Sequence, residues 1–484
     1  MGLKRDSIVS LAGTVCAGAV MLLSVPLLLH KIGDARFGTL TLVWLLAGYA
    51  GLFDFGLSRA TARDIARTDI AAHHVKILWS AIWLSAFIGS ILGIVVYFFG
   101  GRLVHLLASA SSQTDDLAPI VPWIAALLPL ALVNGVFVGA LEGRQKFVAV
   151  NIGQVLTTIL MQAFPTVAAY WIGPELRWIV PAAIVARLIS TILFFVVAMT
   201  AAVPAMPRFI DWRVTQGLFA TGTWFSFASI LGTLFSTMDK FFIASLVGPS
   251  AVAHYSVPES VVRRASLIPL AMVRPLFPRL ASLEETASRL LAQRSLELLI
   301  LIITPIAVVA ILGVRTFLEL WVGQEFSQVS APVGALIALG LWFNSVAFIP
   351  DAYLQGRGRA SVSVLCKLIE LVPHLLLLYV GLTRFGLMGG AWALLMVTVL
   401  DLILLAAFSD LKIWKLKTFW GGCGFAIIAY ITSILAFNSA IGIAVSVVEV
   451  ISAATWSCLL SKDLQTVFRA IRSRAGLVSR RGAL

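Results

Sequence analysis

Long apolar segments follow one another along this chain with little between them, at about residues 8–29, 38–57, 77–99, 120–141, 148–171, 178–203, 219–246, 252–277, 295–318, 330–352, 363–381, 387–408, 420–437 and 441–460. A helix needs about 20 predominantly apolar residues to cross the hydrocarbon core of a bilayer. Most of the segments meet that length, and the last two are short. The composition agrees: 60% of residues are hydrophobic and 12% charged, with a mean hydropathy of +0.98, against about 25% charged in soluble domains. No polar stretch is long enough to fold alone. The expected fold is an all-α polytopic membrane protein of about 14 transmembrane helices. The first segment, 8–29, is longer than the apolar core of a cleaved signal peptide and lacks its small-residue cleavage site, so it is counted as a span. Cys16, Cys366, Cys423 and Cys458 sit in apolar segments without metal-like spacing and read as small buried thiols.

A net charge of +13 raises the question of nucleic-acid binding, and the topology answers it. With fourteen spans both termini lie on one side. The connections and termini on that side carry 24 of the 36 lysines and arginines, the opposite side carries 5, and 7 fall inside spans. Cations accumulate on the cytoplasmic side of membrane proteins, so both termini are expected there and the high charge is topological. Residues 461–484 form a basic cytoplasmic tail able to touch anionic lipid. The connections on the other side are short, the longest being about 100–119, which leaves no room for an outer catalytic domain.

The chain resembles itself at an offset of 213–215 residues. Leu141-x-Gly143-Arg144 matches Leu354-x-Gly356-Arg357, Gly100-x-Arg102 matches Gly313-x-Arg315, and Ile32-Gly33 matches Val247-Gly248. A repeat of six helices keeps its orientation in the membrane, so its copies are related by an axis along the membrane normal. The expected organisation is an N-lobe over 1–203 (helices 1–6), a pseudo-symmetric C-lobe over 204–408 (helices 7–12), and helices 13 and 14 over 409–460. In transporters built this way the substrate lies between the lobes.

The seventh and eighth spans are too polar to face lipid. Thr223, Ser226, Ser229, Thr233, Ser236 and Lys240 recur at helical spacing, and Tyr255, Glu259, Arg263, Ser266 and Arg274 do the same. Arg263 and Arg274 are eleven residues apart, about three α-helical turns, and are expected on one face. A cation at bilayer depth costs roughly 2.5–3.5 kcal/mol or more, so this stretch is expected to line a wet cavity. The fifth span carries Asn151, Gln154, Thr158 and Gln162, and the eleventh carries Ser363, Lys367, Glu370 and His374. Both stripes also suit hydrogen bonding between helices within a lobe. Asn134, Arg187, Asp351 and Asp401 stand as isolated polar residues in spans and are expected to have internal partners.

The head of the chain runs from Pro26-Leu27-Leu28-Leu29-His30-Lys31-Ile32-Gly33 through Phe37-Gly38 to Phe53-Asp54-Phe55-Gly56-Leu57. With Asp239-Lys240-Phe241-Phe242-Ile243, Leu246-Val247-Gly248, His254-Tyr255-Ser256-Val257, Leu141-Glu142-Gly143-Arg144-Gln145-Lys146-Phe147 and Leu354-Gln355-Gly356-Arg357-Gly358-Arg359, it resembles the polysaccharide-repeat-unit flippases, O-antigen flippases among them. His254 stands where a small residue is expected. The superfamily also holds lipid II flippases and multidrug and toxin extrusion antiporters. The resemblance implies a two-lobed fold, alternating access, and a polyprenyl-pyrophosphate-linked oligosaccharide moved from the cytoplasmic to the outer leaflet of a bacterial inner membrane. It implies membrane lipid as the surroundings and a polysaccharide polymerase as a partner, with no nucleic acid.

A pyrophosphate suits fixed guanidinium groups, whose planar fork donates paired, charge-assisted hydrogen bonds. Arg263 and Arg274, with Lys240, Arg59 and, around the helix, Arg264, are the candidate anion site. Glu259, one turn before Arg263, is a candidate to hold or release it. The anchoring of cations at the cytoplasmic face accounts equally for Arg59 and Arg274. No catalytic residue, metal site or cofactor is expected. Coupling to a proton or ion gradient stays open, with Asp239, Glu259, Asp351 and Glu370 as titratable candidates and Lys367 beside the last. Lipid II is the rival cargo. A cation-coupled multidrug exporter should favour carboxylates over the cations found here. A membrane glycosyltransferase or polymerase would need a larger acceptor loop than 100–119 with its Asp115-Asp116.

Overall fold

The computed structural model describes residues 2–49, 54, 56–67, 70–108, 118–202, 211–212, 215–216, 237–435 and 440–461. The helices are α1 (Gly2–Ile32), α2 (Asp34–Tyr49), α3 (Leu57–Ala66), α4 (Ala71–Ala108), α5 (Val121–Gly143), α6 (Phe147–Trp171) and α7 (Leu176–Val197). They continue with α8 (237–246), α9 (Pro249–Val262), α10 (Leu267–Ser282), α11 (Glu285–Trp321), α12 (Gln324–Gly356), α13 (Ala360–Ser409), α14 (Lys417–Leu435) and α15 (Ala440–Leu460). There is no strand among the described residues. Nine described helices are long and apolar enough to cross a membrane. The 50-residue α13 is broken at Gly386 (φ 57°, ψ −142°), at the junction expected between the spans 363–381 and 387–408. The chain is an all-α, multi-pass membrane protein. Its large exposed side chains fit lipid contact: Trp83, Phe87, Ile91 and Ile94 form one stripe of α4.

Two expectations change. The span 38–57 is not one helix: α2 is described as far as Tyr49, Asp54 and Gly56 stand in a turn, and the separate ten-residue α3 begins at Leu57. The span 252–277 is interrupted by a 3₁₀ turn, Arg263–Ser266, between α9 and α10. The polar stripe Thr223 to Ser236, Asp115-Asp116 and the basic tail from 462 lie outside the described residues.

The chain forms two compact units, Met1–Ala253 and His254–Leu484. In the first, α3 lies against α5 backbone to backbone. A Cβ placed on Gly139 would sit 2.2 Å from the Ser58 carbonyl oxygen, and one on Gly143 would sit 2.6 Å from that of Ala62. Gly135, Gly139 and Gly143 are spaced by four and share a face. Lipid gives packed helices no hydrophobic advantage over exposed ones, so small residues that permit close approach hold them together. Asp54 and Gly56 lie just before α3. Gly56 takes a φ of 66°, in the left-handed region that only glycine enters freely, and the Asp54 carboxylate accepts hydrogen bonds from the Ser58 amide (2.9 Å) and hydroxyl (2.6 Å). Leu57, Ala60 and Ile65 then pack with Val136, Phe137 and Ala140 of α5.

In the second unit α11 and α12 form the centre. Buried Trp342 donates its indole N–H to Thr304 Oγ1 at 3.0 Å, and α14 reaches both residues at Gly422, where a Cβ would lie 2.7 Å from that hydroxyl. His254 is buried with Nδ1 2.8 Å from Ser330 Oγ and its ring stacked on Phe326 at 4.5 Å, which explains how a large residue is accommodated there.

The offset of 213 seen in the sequence recurs in local geometry. The Lys146 amide donates to the Leu141 carbonyl and the Arg359 amide to the Leu354 carbonyl, both at 2.9 Å. Gln145 and Gly358, the residues just before these donors, take positive φ values of 56° and 73°.

Candidate functional site

The cations expected to bind an anion divide between the units. Arg59 and Lys240 belong to the first, and Arg263, Arg264 and Arg274 to the second. Arg59 is exposed on α3, in electrostatic range of Asp54 and Glu142. Lys240 is buried, with Asp239 Oδ1 3.5 Å from its ammonium and accepting its backbone amide at 2.9 Å. Lys240 and Asp239 therefore form a local ion pair away from solvent.

Arg263 opens the 3₁₀ turn. Its guanidinium donates to Glu259 one turn earlier. The arginine side chain is 56% exposed and the glutamate 6%, so a buried carboxylate anchors a guanidinium that faces outward. Arg264 is exposed beside it. Arg274 belongs to α10, and its side chain lies outside the described residues. The 3₁₀ turn winds at about 3.0 residues per turn rather than 3.6, so Arg263 and Arg274 are not three whole α turns apart as their spacing suggests.

A second constellation lies in α13. Lys367 Nζ is 2.7 Å from Asp401 Oδ1 and 3.3 Å from Glu370 Oε2. Glu370 is 1% exposed and Lys367 45%. Two carboxylates thus share one lysine across the Gly386 break, and Asp401 has the internal partner expected of it. Asp351 accepts a hydrogen bond from Gln355 Nε2 at 2.8 Å on its own helix.

The first unit carries an open-mouthed cavity of 620 Å³ that sequence reasoning did not find. Trp44 of α2, Ser58 of α3, Asn134 of α5, Gln154 and Gln162 of α6 and Arg187 of α7 line it. Arg187 is the middle residue of its 22-residue helix. Among the described residues, Trp44 Nε1, Asn134 Oδ1 and Arg187 Nε are buried without a hydrogen-bond partner. The expectation that Asn134 and Arg187 are internally satisfied fails for these atoms. Ser58 reaches the wall because the glycine stripe of α5 admits α3, and Gln162 is held by the Ser24 hydroxyl, 3.0 Å from its Oε1. The signal available in sequence was the pairing of an amide stripe on the fifth span with a lone arginine on the sixth.

Comparison with known proteins places these features. A Shigella flexneri protein provisionally named an O-antigen transporter is 27% identical over 407 residues, which span 84% of this chain and 97% of that protein. The solved lipid II flippase MurJ, in an inward closed conformation, superposes with a TM-score of 0.70 at 15% identity, covering 94% of this chain and 99% of its own. A multidrug resistance transporter of the MATE family in an inward-facing conformation has a TM-score of 0.64 at 14% identity, covering 86% and 96%. The family model described as polysaccharide biosynthesis protein matches residues 3–284, more than half of the chain, and the protein belongs to that family.

Proposed function

We propose that the protein is a flippase, not an enzyme, that carries a polyprenyl-pyrophosphate-linked oligosaccharide from the cytoplasmic to the outer leaflet of a bacterial inner membrane by alternating access. The observation that carries this reading is the alignment with the Shigella flexneri protein provisionally named an O-antigen transporter, over nearly its whole length. The chemistry supports it. The exposed guanidinium of Arg263, anchored by buried Glu259, suits a diphosphate that must leave water, and Arg264 and Arg274 of the same unit join it in the proposed anion-binding set. The reading includes lobes at 1–203 and 204–408, helices 13 and 14 at 409–460, cytoplasmic termini with a basic tail at 461–484, and a polysaccharide polymerase as partner. The Lys367–Glu370–Asp401 cluster, with Asp351 and Asp239 as further titratable groups, is the proposed place for proton or ion coupling.

The test is flipping of a fluorescent lipid-linked oligosaccharide in proteoliposomes by the wild type, Arg263→Ala and Arg263→Lys. The expected result is loss of at least tenfold in the alanine variant and partial retention in the lysine variant, which keeps the charge without the fork. Full activity in both removes Arg263 from the site. Absence of wild-type flipping, with lipid II flipped instead, replaces the cargo.

A further inference from the structure

The cavity in the first unit is a site with no assigned occupant, and its chemistry is specific. Arg187 cannot shed its charge at any physiological pH. A cation in mid-span is costly unless something pairs with it, and among the described residues no side chain does. The missing counter-charge is therefore expected on a ligand. A guanidinium matches a carboxylate or phosphate with two parallel N–H bonds.

The rest of the lining decides which oxyanion. Asn134 Oδ1 is a buried acceptor without a donor. A fully ionised inorganic anion brings only acceptors and would leave that oxygen unpaired while placing negative charge in the same cavity. A ligand that carries hydroxyl groups together with its acid supplies the donor. Its hydroxyl oxygens can also accept from Trp44 Nε1, which is unpartnered too. Gln154 and Gln162 add amides, each able to donate and accept. One arginine, three amides and an indole on a wall that is otherwise largely apolar describe a pocket for a sugar acid. The volume of 620 Å³ falls in the range of about 300–1,000 Å³ typical of small-molecule sites.

We infer that this cavity binds a carboxylate-bearing sugar, of the uronic-acid class, with Arg187 on the carboxylate and Trp44, Asn134 and Gln154 on the hydroxyls. The inference rests on the reading of a lipid-linked oligosaccharide as cargo and deepens it: the cargo carries an acidic residue, recognised at a place separate from the diphosphate-binding arginines.

The test measures binding of D-glucuronate, D-glucose and inorganic pyrophosphate to the purified full-length chain in detergent, by saturation-transfer NMR with competition. Glucuronate is expected to bind at least tenfold more tightly than glucose, and Arg187→Gln to abolish that preference while leaving the weak glucose signal unchanged. Trp44→Phe, which keeps the charge and most of the volume, is expected to weaken glucuronate about threefold to tenfold. It serves as the second variant should Arg187→Gln fail to fold. Equal glucuronate binding in the wild type and both variants overturns the site. Tighter binding of pyrophosphate than of glucuronate, lost in Arg187→Gln, also overturns it, in favour of the diphosphate of the carrier lipid. Failure of the flippase reading is separable. A protein that flips lipid-linked oligosaccharide but shows no preference for glucuronate loses this site alone. One that binds glucuronate through Arg187 but flips nothing keeps the site and loses the transport reading.

Discussion

Replacing Gly139 by alanine tests whether the α3–α5 contact is set by backbone proximity. The new Cβ would lie 2.2 Å from the Ser58 carbonyl oxygen, 1.2 Å short of the 3.4 Å at which ordinary contact begins. The obstructing atom belongs to the backbone and cannot rotate away, so α3 must move by about that distance or the contact opens. Overpacking of this kind costs about 1–3 kcal/mol, and the rigidity of the neighbour puts it toward the upper end. Alanine is also the better helix former by about 0.5–1 kcal/mol, which would hide part of the loss. Gly313→Ala supplies the control: it is a glycine within α11 whose Cβ would meet nothing within 4 Å. The helix preference is common to both variants, so the difference between them isolates the clash. The assay is thermal or denaturant unfolding of the two variants in one detergent, read by intrinsic fluorescence. The Gly139 variant is expected to be less stable than the Gly313 variant by about 1–3 kcal/mol. Indistinguishable midpoints would refute the backbone-contact reasoning, and with it the account of how Ser58 reaches the cavity.

Three further outcomes follow from other contacts. Lys367→Met leaves Glu370 and Asp401 buried without their shared cation. Its cost should approach about 3 kcal/mol, the low end for a broken buried pair because Lys367 is 45% exposed; unfolding measurements should show recovery in the triple variant that also carries Glu370→Gln and Asp401→Asn. Gly386→Ala forces a side chain into a positive-φ conformation at the break in α13 and should cost about 1–3 kcal/mol, read as a lowered unfolding midpoint, whereas Gly424→Ala, a helical position whose Cβ meets open space, should not lower it. Trp342→Phe removes the donor to Thr304 and should cost about 1–2 kcal/mol by the same assay.

The spans were legible because their signal is local. An apolar run of sufficient length declares itself, and Gly386 with Arg384 marks the turn within α13 in the sequence itself. The 3₁₀ turn at Arg263–Ser266 was not legible, since the residues that form it carry no glycine or proline, although Pro258 and Pro269 lie to either side. Asp401 and Lys367 are 34 positions apart, yet their meeting follows once the α13 break is treated as a hairpin: Gly381 and Gly389 touch backbone to backbone, and counting outward equally from that pair brings 367 close to 401. The cavity was out of reach in a different way. It needs five elements, α2, α3, α5, α6 and α7, packed in three dimensions, and only the amide stripe of α6 and the solitary Arg187 left a trace in the sequence.

The backbone contact between Gly381 and Gly389 also bears on biogenesis. A chain that passes from the ribosome into the bilayer one span at a time would present Lys367 to hydrocarbon before Asp401 had been synthesised. Arms that close tightly around Gly386 can instead enter together as a pre-formed helical pair, with the lysine already neutralised by its carboxylates. The glycines at the turn then matter as much for the order of assembly as for the finished packing, and a bulky residue at Gly389 should be felt first as poor insertion during synthesis.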